Sequence, residues 1–277
     1  MTSPFTAGPA SIPVVLSTSS VFPEPTAAAF EMAATLGYDG LEVMVWTDPV
    51  SQDAAALRVL ADHYGCPVRS VHAPCLLITQ RVWGTDPWEK LRRSAVLATE
   101  VGASTVVVHP PFAWQRAYAA GFGAGLRRLH QQFPHLAFAV ENMFPVRVRG
   151  REFVPYLPGW DPSRFHFDAF TLDLSHCAAA RTDALAMADA MGSALAHVHL
   201  GDGTAGGRDQ HLVPGRGNQP CAPLLASLGP RGFTGTVAVE VSTRRARSRR
   251  ERADDLAASL AFAREHLAPK PAAARTP

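Results

Sequence analysis

Short runs rich in Val, Ile, Leu and Ala alternate along the chain with segments whose apolar residues recur at helical spacing. That alternation predicts parallel strands joined by helices. Eight strand-like runs stand out, at 12–17, 40–45, 68–72, 105–109, 137–141, 170–173, 196–200 and 236–241. Helices predicted at 26–36, 53–64 and 87–101 each end at a glycine (Gly37, Gly65 and Gly102), the residue that best accepts the left-handed stop conformation. Eight parallel strands predict closure into a single (β/α)8 TIM barrel of the α/β class, and 277 residues suit one such barrel, which commonly takes about 250. Residues 1–268 are expected to form the barrel, and the Pro/Ala-rich stretch 269–277 a disordered tail. The segment 147–163, containing Pro and Arg, is expected to be a long irregular loop after the fifth strand, on the side where barrel loops shape substrate entry.

Polar residues break the pattern at one kind of place. Strands of a parallel sheet are buried on both faces and should read as apolar runs, yet six of these end in a side chain able to bind a metal. They are His72 in SVHAP, His109 in VVVHPP, Glu141 in AVENM, Asp173 in TLDLSH, His199 in HVHLGD and Glu240 in VAVEVS. Parallel closure brings all the C-terminal strand ends to one mouth, so a shared site explains the set better than separate surface residues do. His176 follows Asp173 by three positions, and Asp209 and His211 lie in the loop after the seventh strand, two apart and so on one side of an extended segment. His197 sits deeper in its strand, where polar packing is the more economical reading. His63, His130, His135, His166 and His266 fall on helices or near helix ends and read as structural.

Glu141, Asp173, His199 and Glu240 together offer mostly hard oxygen donors and one imidazole, a set suited to Mn, Mg or Co, with Zn also accommodated. Three carboxylates exceed what one divalent ion neutralises, which implies either a carboxylate acting as a base or room for further ions, one to three in all. Trp46, Trp83, Phe112 and Trp114 follow strand ends and could wall a pocket or simply pack beneath loops. Arg208 and Arg216, in a Gly-rich loop, are candidates for a substrate phosphate.

Composition changes this picture little. With 47% hydrophobic and 18% charged residues, the chain reads as globular rather than disordered. Neither a basic-then-apolar leader nor a membrane-length apolar stretch is seen, so a cytoplasmic protein without a membrane partner is expected. Cys66, Cys75, Cys177 and Cys221 are scattered, which predicts buried or loop thiols rather than disulfides or a zinc knuckle. A formal charge of +2 does not by itself imply nucleic acid. The run RRARSRRER at 244–252 reads first as a solvated face and second as a phosphate or polyanion contact.

The strand-end motifs, from GYDGLEV at 37–43 to AVEVS at 238–242, resemble those of the xylose-isomerase-like barrel superfamily, and the resemblance covers nearly the whole chain. This superfamily includes sugar-phosphate isomerases and epimerases and the apurinic endonucleases of the endonuclease IV type. In the first branch the resemblance implies that Glu141, Asp173, His199 and Glu240 hold one metal, that the two Glu residues flank the substrate and move protons, and that His176 helps bind sugar oxygens. In the second it implies three metals: one on His72, His109 and Glu141, one on Glu141, Asp173, His199 and Glu240, and one on His176, Asp209 and His211. VENM at the fifth strand and LGDG after His199 depart from the endonuclease pattern.

Three functions follow as expectations. The leading one is a metal-dependent isomerase or epimerase of a small sugar, keto-polyol or sugar phosphate, with Glu141, Glu240 and His176 as the catalytic residues and a small carbohydrate as partner. The second is a multinuclear phosphodiesterase acting at abasic sites in DNA, which would need a basic face along the DNA backbone; a nucleic-acid partner is the less favoured reading. The third is an inactive barrel that binds a metabolite. A homo-oligomer is left open.

Overall fold

The computed structural model describes residues 11–268, so the expected tail at 269–277 lies outside the described residues. Eight strands close in parallel: β1 (Val14–Ser17), β2 (Leu41–Met44), β3 (Val68–His72), β4 (Thr105–Val108), β5 (Ala137–Glu141), β8 (Phe170–Asp173), β9 (Leu195–Leu200) and β10 (Thr236–Val239). Going round the barrel the order is β1, β2, β3, β4, β5, β8, β9, β10 and back to β1. All eight predicted runs are therefore barrel strands, with ends moved by a residue or two. Glu240 lies one residue past β10 but still donates its N–H to Leu200 O at 3.1 Å, so the ladder carries it to the rim.

The helices are α1 (Thr26–Leu36), α2 (Ala54–Tyr64), α3 (Pro87–Val101), α4 (Arg116–Gln132), α5 (Leu174–Ala180), α6 (Ala184–Met191), α7 (Cys221–Leu228) and α8 (Arg249–Leu267). Asp53, expected as the first residue of α2, is instead its cap, its carboxylate accepting from the N–H groups of Ala55 and Ala56. The segment 147–163 is less irregular than expected. A two-stranded antiparallel hairpin joins β6 (Val146–Val148) to β7 (Arg151–Phe153). Arg149 and Gly150 both have positive φ, the requirement of the two-residue turn that suits the strand twist, and Arg-Gly is a weak sequence signal for it.

The two faces of the barrel wall differ sharply. Residues directed at the helices are apolar and belong to one continuous core: Leu16, Leu41, Val43, Val71, Val106, Val140, Leu172, Val198 and Val239 among them. Their inward-facing neighbours include Ser17, Glu42, Ser70, Thr105, Thr171 and His197, all buried and all polar. The interior beneath the strand ends is thus not the aliphatic stack usual for this architecture. The hydrophobic driving force is supplied between strands and helices, which leaves the barrel axis free to carry charge.

Gly40 sets the start of β2. Its φ is +152°, and a Cβ there would lie 2.4 Å from the carbonyl oxygen of Pro67 on the neighbouring strand. Gly40→Ala is expected to destabilise the fold by about 1–3 kcal/mol, measured as a lowered urea midpoint at unchanged m-value. A midpoint equal to that of the unmodified protein would show that β2 does not depend on this close approach.

Candidate active site and metal centre

Local structure explains how each donor reaches the mouth. Asp173 ends β8 and caps α5 in the same stroke, its Oδ1 accepting the His176 N–H at 2.7 Å. That places His176 in the first turn of the helix, facing back over the barrel. The loop after β9 is held open by Asp202, whose carboxylate accepts the N–H groups of Gly203, Gly215, Gly217 and Gln219 at 2.7–3.0 Å. Ser175 pins the other arm of that loop, donating to Asp209 Oδ1 at 2.6 Å while its oxygen accepts the His211 N–H at 2.8 Å.

All nine sequence-predicted donors converge. Ligand atoms of Glu141, Asp173, His199 and Glu240 lie within 4.8 Å of one another, as do those of His72, His109 and Glu141, and those of Asp173, His176 and His211. His199 Nδ1 is 3.0 Å from Glu141, 2.9 Å from Glu240 and 3.5 Å from Asp173. His109 Nε2 sits 2.9 Å from Glu141 Oε2 and 3.2 Å from His72 Nε2. Asp209 Oδ2 lies 2.9 Å from His211 Nε2 and 3.5 Å from His176 Nε2.

The orientation of the imidazoles is the telling feature. His72 Nδ1 faces the Ala73 carbonyl at 3.0 Å, His176 Nδ1 the Asn142 carbonyl at 2.8 Å, and His211 Nδ1 the Glu240 carbonyl at 3.0 Å. A carbonyl can only accept, so each of those Nδ1 atoms carries a proton, and Nε2 is the nitrogen left to face the mouth, where it could give up its own proton to bind a cation. His199 is held the other way round, its Nε2 3.0 Å from Glu42 Oε1 and its Nδ1 among the carboxylates. Ring nitrogens fixed from behind by a carbonyl or carboxylate are the usual support of metal-binding histidines.

Glu42 was not foreseen as part of the site. It is fully buried, 2.8 Å from His197 Nε2, and accepts a hydrogen bond from Ser70 Oγ at 2.8 Å. Its signal was the second of two carboxylates in GYDGLEV, Asp39 and Glu42, hidden because 40–45 has the composition of an ordinary strand. A register shift between Leu41 and Glu42 in the β2–β3 pairing accompanies its inward placement. His197 lies here, below the mouth, and with Glu42 and His199 it forms a fourth group whose donor atoms lie within 4.8 Å of one another.

The charges compensate one another. Burial pushes the His199 imidazolium down, but Glu42, Glu240 and Glu141 outweigh it and hold its pKa well above the ordinary value. Burial pushes His211 down too, but the Asp209 carboxylate overcomes it and raises the imidazole to about 10. Burial would raise Glu240, yet His199 and His211 bring it down to about 2. In His109 burial wins, and its pKa is lowered.

The donor set fits divalent metal. Glu141 Oε2 and Asp173 Oδ2 are buried without a well-aligned hydrogen bond, although ring nitrogens lie nearby. Buried carboxylate oxygens left short of donors among inward-turned imidazole nitrogens are what a cation would satisfy. Hard oxygens around His199 suit Mn, Mg or Co, and the His-rich sets on either side suit Zn as well.

Beside these donors opens a cavity of about 560 Å³, reached by His211 and Glu240 and walled by Phe22, Met44, Trp46 and Ile78. A smaller one of about 260 Å³ adjoins His109, with Phe112 and Trp114 on its wall. Those two rings stack at 4.4 Å. Of the two alternatives for these rings, Trp46 walls the 560 Å³ cavity, whereas Trp83 packs against the core. Neither Arg208 nor Arg216 lines either cavity, and Arg216 pairs with Asp255 at 2.6 Å. All four cysteines are free, with Cys66, Cys177 and Cys221 buried. Among the described residues no helix is long and apolar enough to cross a membrane.

Residues 30–266 match the family model described as xylose isomerase-like TIM barrel. An uncharacterized protein of Mycobacterium tuberculosis is 50% identical over 275 residues, covering 92% of this chain and 98% of that one. Among solved structures, 3-keto-D-glucoside 4-epimerase from E. coli superposes with a TM-score of 0.66 at 16% identity, covering 92% of this chain and 99% of that one. An AP endonuclease, family 2, from Brucella melitensis gives 0.65 at 19% identity, covering 87% and 95%. At such identities the two structures share the fold with this chain.

If Glu42 orients His199, Glu42→Gln should weaken divalent-metal affinity about 10- to 100-fold with the circular dichroism spectrum retained. Titration of metal-free protein with Co²⁺, followed by its visible absorption, checks this. An unchanged dissociation constant would relegate Glu42 to packing.

Proposed function

The chain belongs to the xylose isomerase-like TIM barrel family, and from that membership together with the donor set at its mouth we propose a divalent-metal-dependent isomerase or epimerase acting on a small sugar, keto-polyol or sugar phosphate. The observation that carries the proposal is the pair Glu141 and Glu240, two buried carboxylates that meet at His199 Nδ1, at 3.0 and 2.9 Å, with Glu240 opening onto a cavity of substrate size. The solved barrel named for a keto-glucoside epimerase supports the choice of reaction class.

When bound, a divalent ion supplies Lewis acidity to neighbouring carbonyl and hydroxyl oxygens, which acidifies the C–H bond between them. Glu141, Asp173, His199 and Glu240 would hold it. The rest falls to the chain. Glu240 lines the cavity, so its carboxylate can reach and take the carbon-bound proton. Ser19 Oγ donates to Glu240 Oε1 at 3.1 Å and limits its rotation, leaving Oε2 toward His199. Glu141 serves the opposite face: epimerisation needs a proton returned from that side, whereas isomerisation needs only a shuttle between adjacent carbons. His176 and His211 lie where substrate hydroxyls would approach. Trp46 and Phe22 exclude water from the cavity wall.

A second reading rests on a specific observation. His72, His109 and Glu141 form one complete donor set, and Asp173, His176 and His211 with Asp209 form another, enough for three ions. A cluster of that kind would suit phosphodiester hydrolysis, and Glu141, shared by two of the donor sets, would then not be available as a base. The completeness of the donors also speaks against an inactive metabolite-binding barrel.

Two measurements test the proposal. Glu240→Gln is expected to slow deuterium exchange into keto-sugars by about 100- to 10,000-fold while leaving the fold intact; exchange at the original rate would exclude Glu240 as a base. Metal content distinguishes the two readings. With one ion, Asp173→Asn or His199→Ala removes most bound metal, and His72→Ala, His109→Ala and His211→Ala leave the stoichiometry near one. Stoichiometry between two and three, falling stepwise in those His variants together with nicking of abasic DNA, would select the hydrolase instead.

A further inference from the structure

The basic run at 244–252 does not act as one face. Arg252 is buried, donates to Thr243 Oγ1 at 2.9 Å and pairs with Glu24. Arg249 is committed to Glu24 at 3.1 Å and Glu31 at 2.7 Å. Both tie α8 to the start of α1. Arg244 differs. It lines the 560 Å³ cavity that Glu240 and His211 also line, and among the described residues it takes part in no ion pair.

Its guanidinium lies over the ring of Phe22, 4.6 Å from the centroid. Stacking occupies the flat face and leaves the in-plane N–H groups free, the edge that grips a carboxylate or phosphate through two parallel bonds. The turn that carries it is anchored on both sides: Thr243 Oγ1 donates to the Ser20 carbonyl at 2.5 Å, and Ser248 caps α8.

The carboxylates in this part of the cavity are already engaged. Asp48 accepts the N–H groups of Thr26 at 2.8 Å and Val50 at 3.1 Å, and Glu24 is held by the two arginines above. The cavity thus has an inner end lined by Glu240 and His211, an apolar wall that includes Phe22, Met44 and Trp46, and at its rim Arg244, which has no ion pair among the described residues. An anionic group would be drawn to that guanidinium, which would fix which end of a substrate enters.

We infer that the substrate of this site carries a phosphate or carboxylate remote from its reacting carbons, and that Arg244 binds it. The inference rests on the isomerase or epimerase reading for the reacting end alone. Arg244 makes the site selective for anionic sugars over neutral ones of the same length, whichever carbon is altered.

The experiment compares matched keto-sugars bearing a terminal hydroxyl, phosphate or carboxylate, using metal-loaded unmodified protein, Arg244→Ala and Arg244→Lys. Deuterium exchange gives kcat and KM, and calorimetry on the Glu240→Gln protein gives binding without turnover. The unmodified protein is expected to favour an anionic sugar, with phosphate or carboxylate identified by the larger kcat/KM. Arg244→Ala should cut that preference about tenfold to a hundredfold, chiefly through KM, and Arg244→Lys should restore part of it. Exchange that is equal for neutral and anionic sugars and indifferent to Arg244→Ala overturns the inference and leaves the reaction class standing. Arg244-dependent binding of an anionic sugar with no exchange upholds the inference and rejects the reaction class. Loss of neither binding nor exchange in a correctly folded Arg244→Ala protein overturns it outright.

Discussion

The buried carboxylate of Glu42, shared between His197 and His199 on the barrel axis, is the contact on which the rest of the mouth depends. His199 stands between it and three further carboxylates, with Nε2 toward Glu42 and Nδ1 toward Glu141, Asp173 and Glu240. Isolated charges would be costly at this depth, since desolvation of each amounts to several kcal/mol. The arrangement holds because every acid faces an imidazole and nearly every imidazole is fixed from behind by a carbonyl or an acid. Replacing one member leaves its neighbour buried and uncompensated, so these residues form a unit rather than a collection of contacts.

Such a polar axis is affordable because the barrel does not rely on it for hydrophobic burial. Leu16, Leu41, Val106, Val140, Leu172 and Val239 pack outward beneath the helices, and the fold's apolar core is a ring around the wall. Alternation along each strand does the sorting, one residue outward to the helices and the next inward to the site. A slip of one residue would exchange the two sets, which is why the ladder positions of Glu42 with Ser70 and of Asp173 with His199 matter for chemistry as well as for stability.

The cavity extends this division of labour outward. Its inner end belongs to Glu240 and His211, its wall to Phe22, Met44 and Trp46, and its rim to Arg244. Glu240 and Arg244 share the segment between β10 and α8, so one connection carries both a donor of the mouth and the cation of the rim. Strand ends hold the donors in such a barrel, while the loops beyond them can vary.

Much of this was legible before the fold was known. Eight apolar runs, three glycine-terminated helices and a polar residue at six strand ends follow from periodicity, and parallel closure alone predicts that those ends meet. His176, Asp209 and His211 were legible from their spacing beyond the strands. Glu42 was not, because one acid within a strand says nothing about which face it takes until the neighbouring strand and its register shift decide it. The hairpin across Arg149 and Gly150 escaped because left-handed backbone at an arginine has no strong sequence signal. Nor does the run 244–252 reveal which arginine is free: Arg249 and Arg252 find acids on α1 and just before it, more than two hundred residues away in sequence, while Arg244 finds an aromatic ring. Local spacing fixes which residues reach the mouth, because strand direction and alternation are local properties. Which of them compensate one another depends on contacts between distant strands, and those exist only once the barrel has closed.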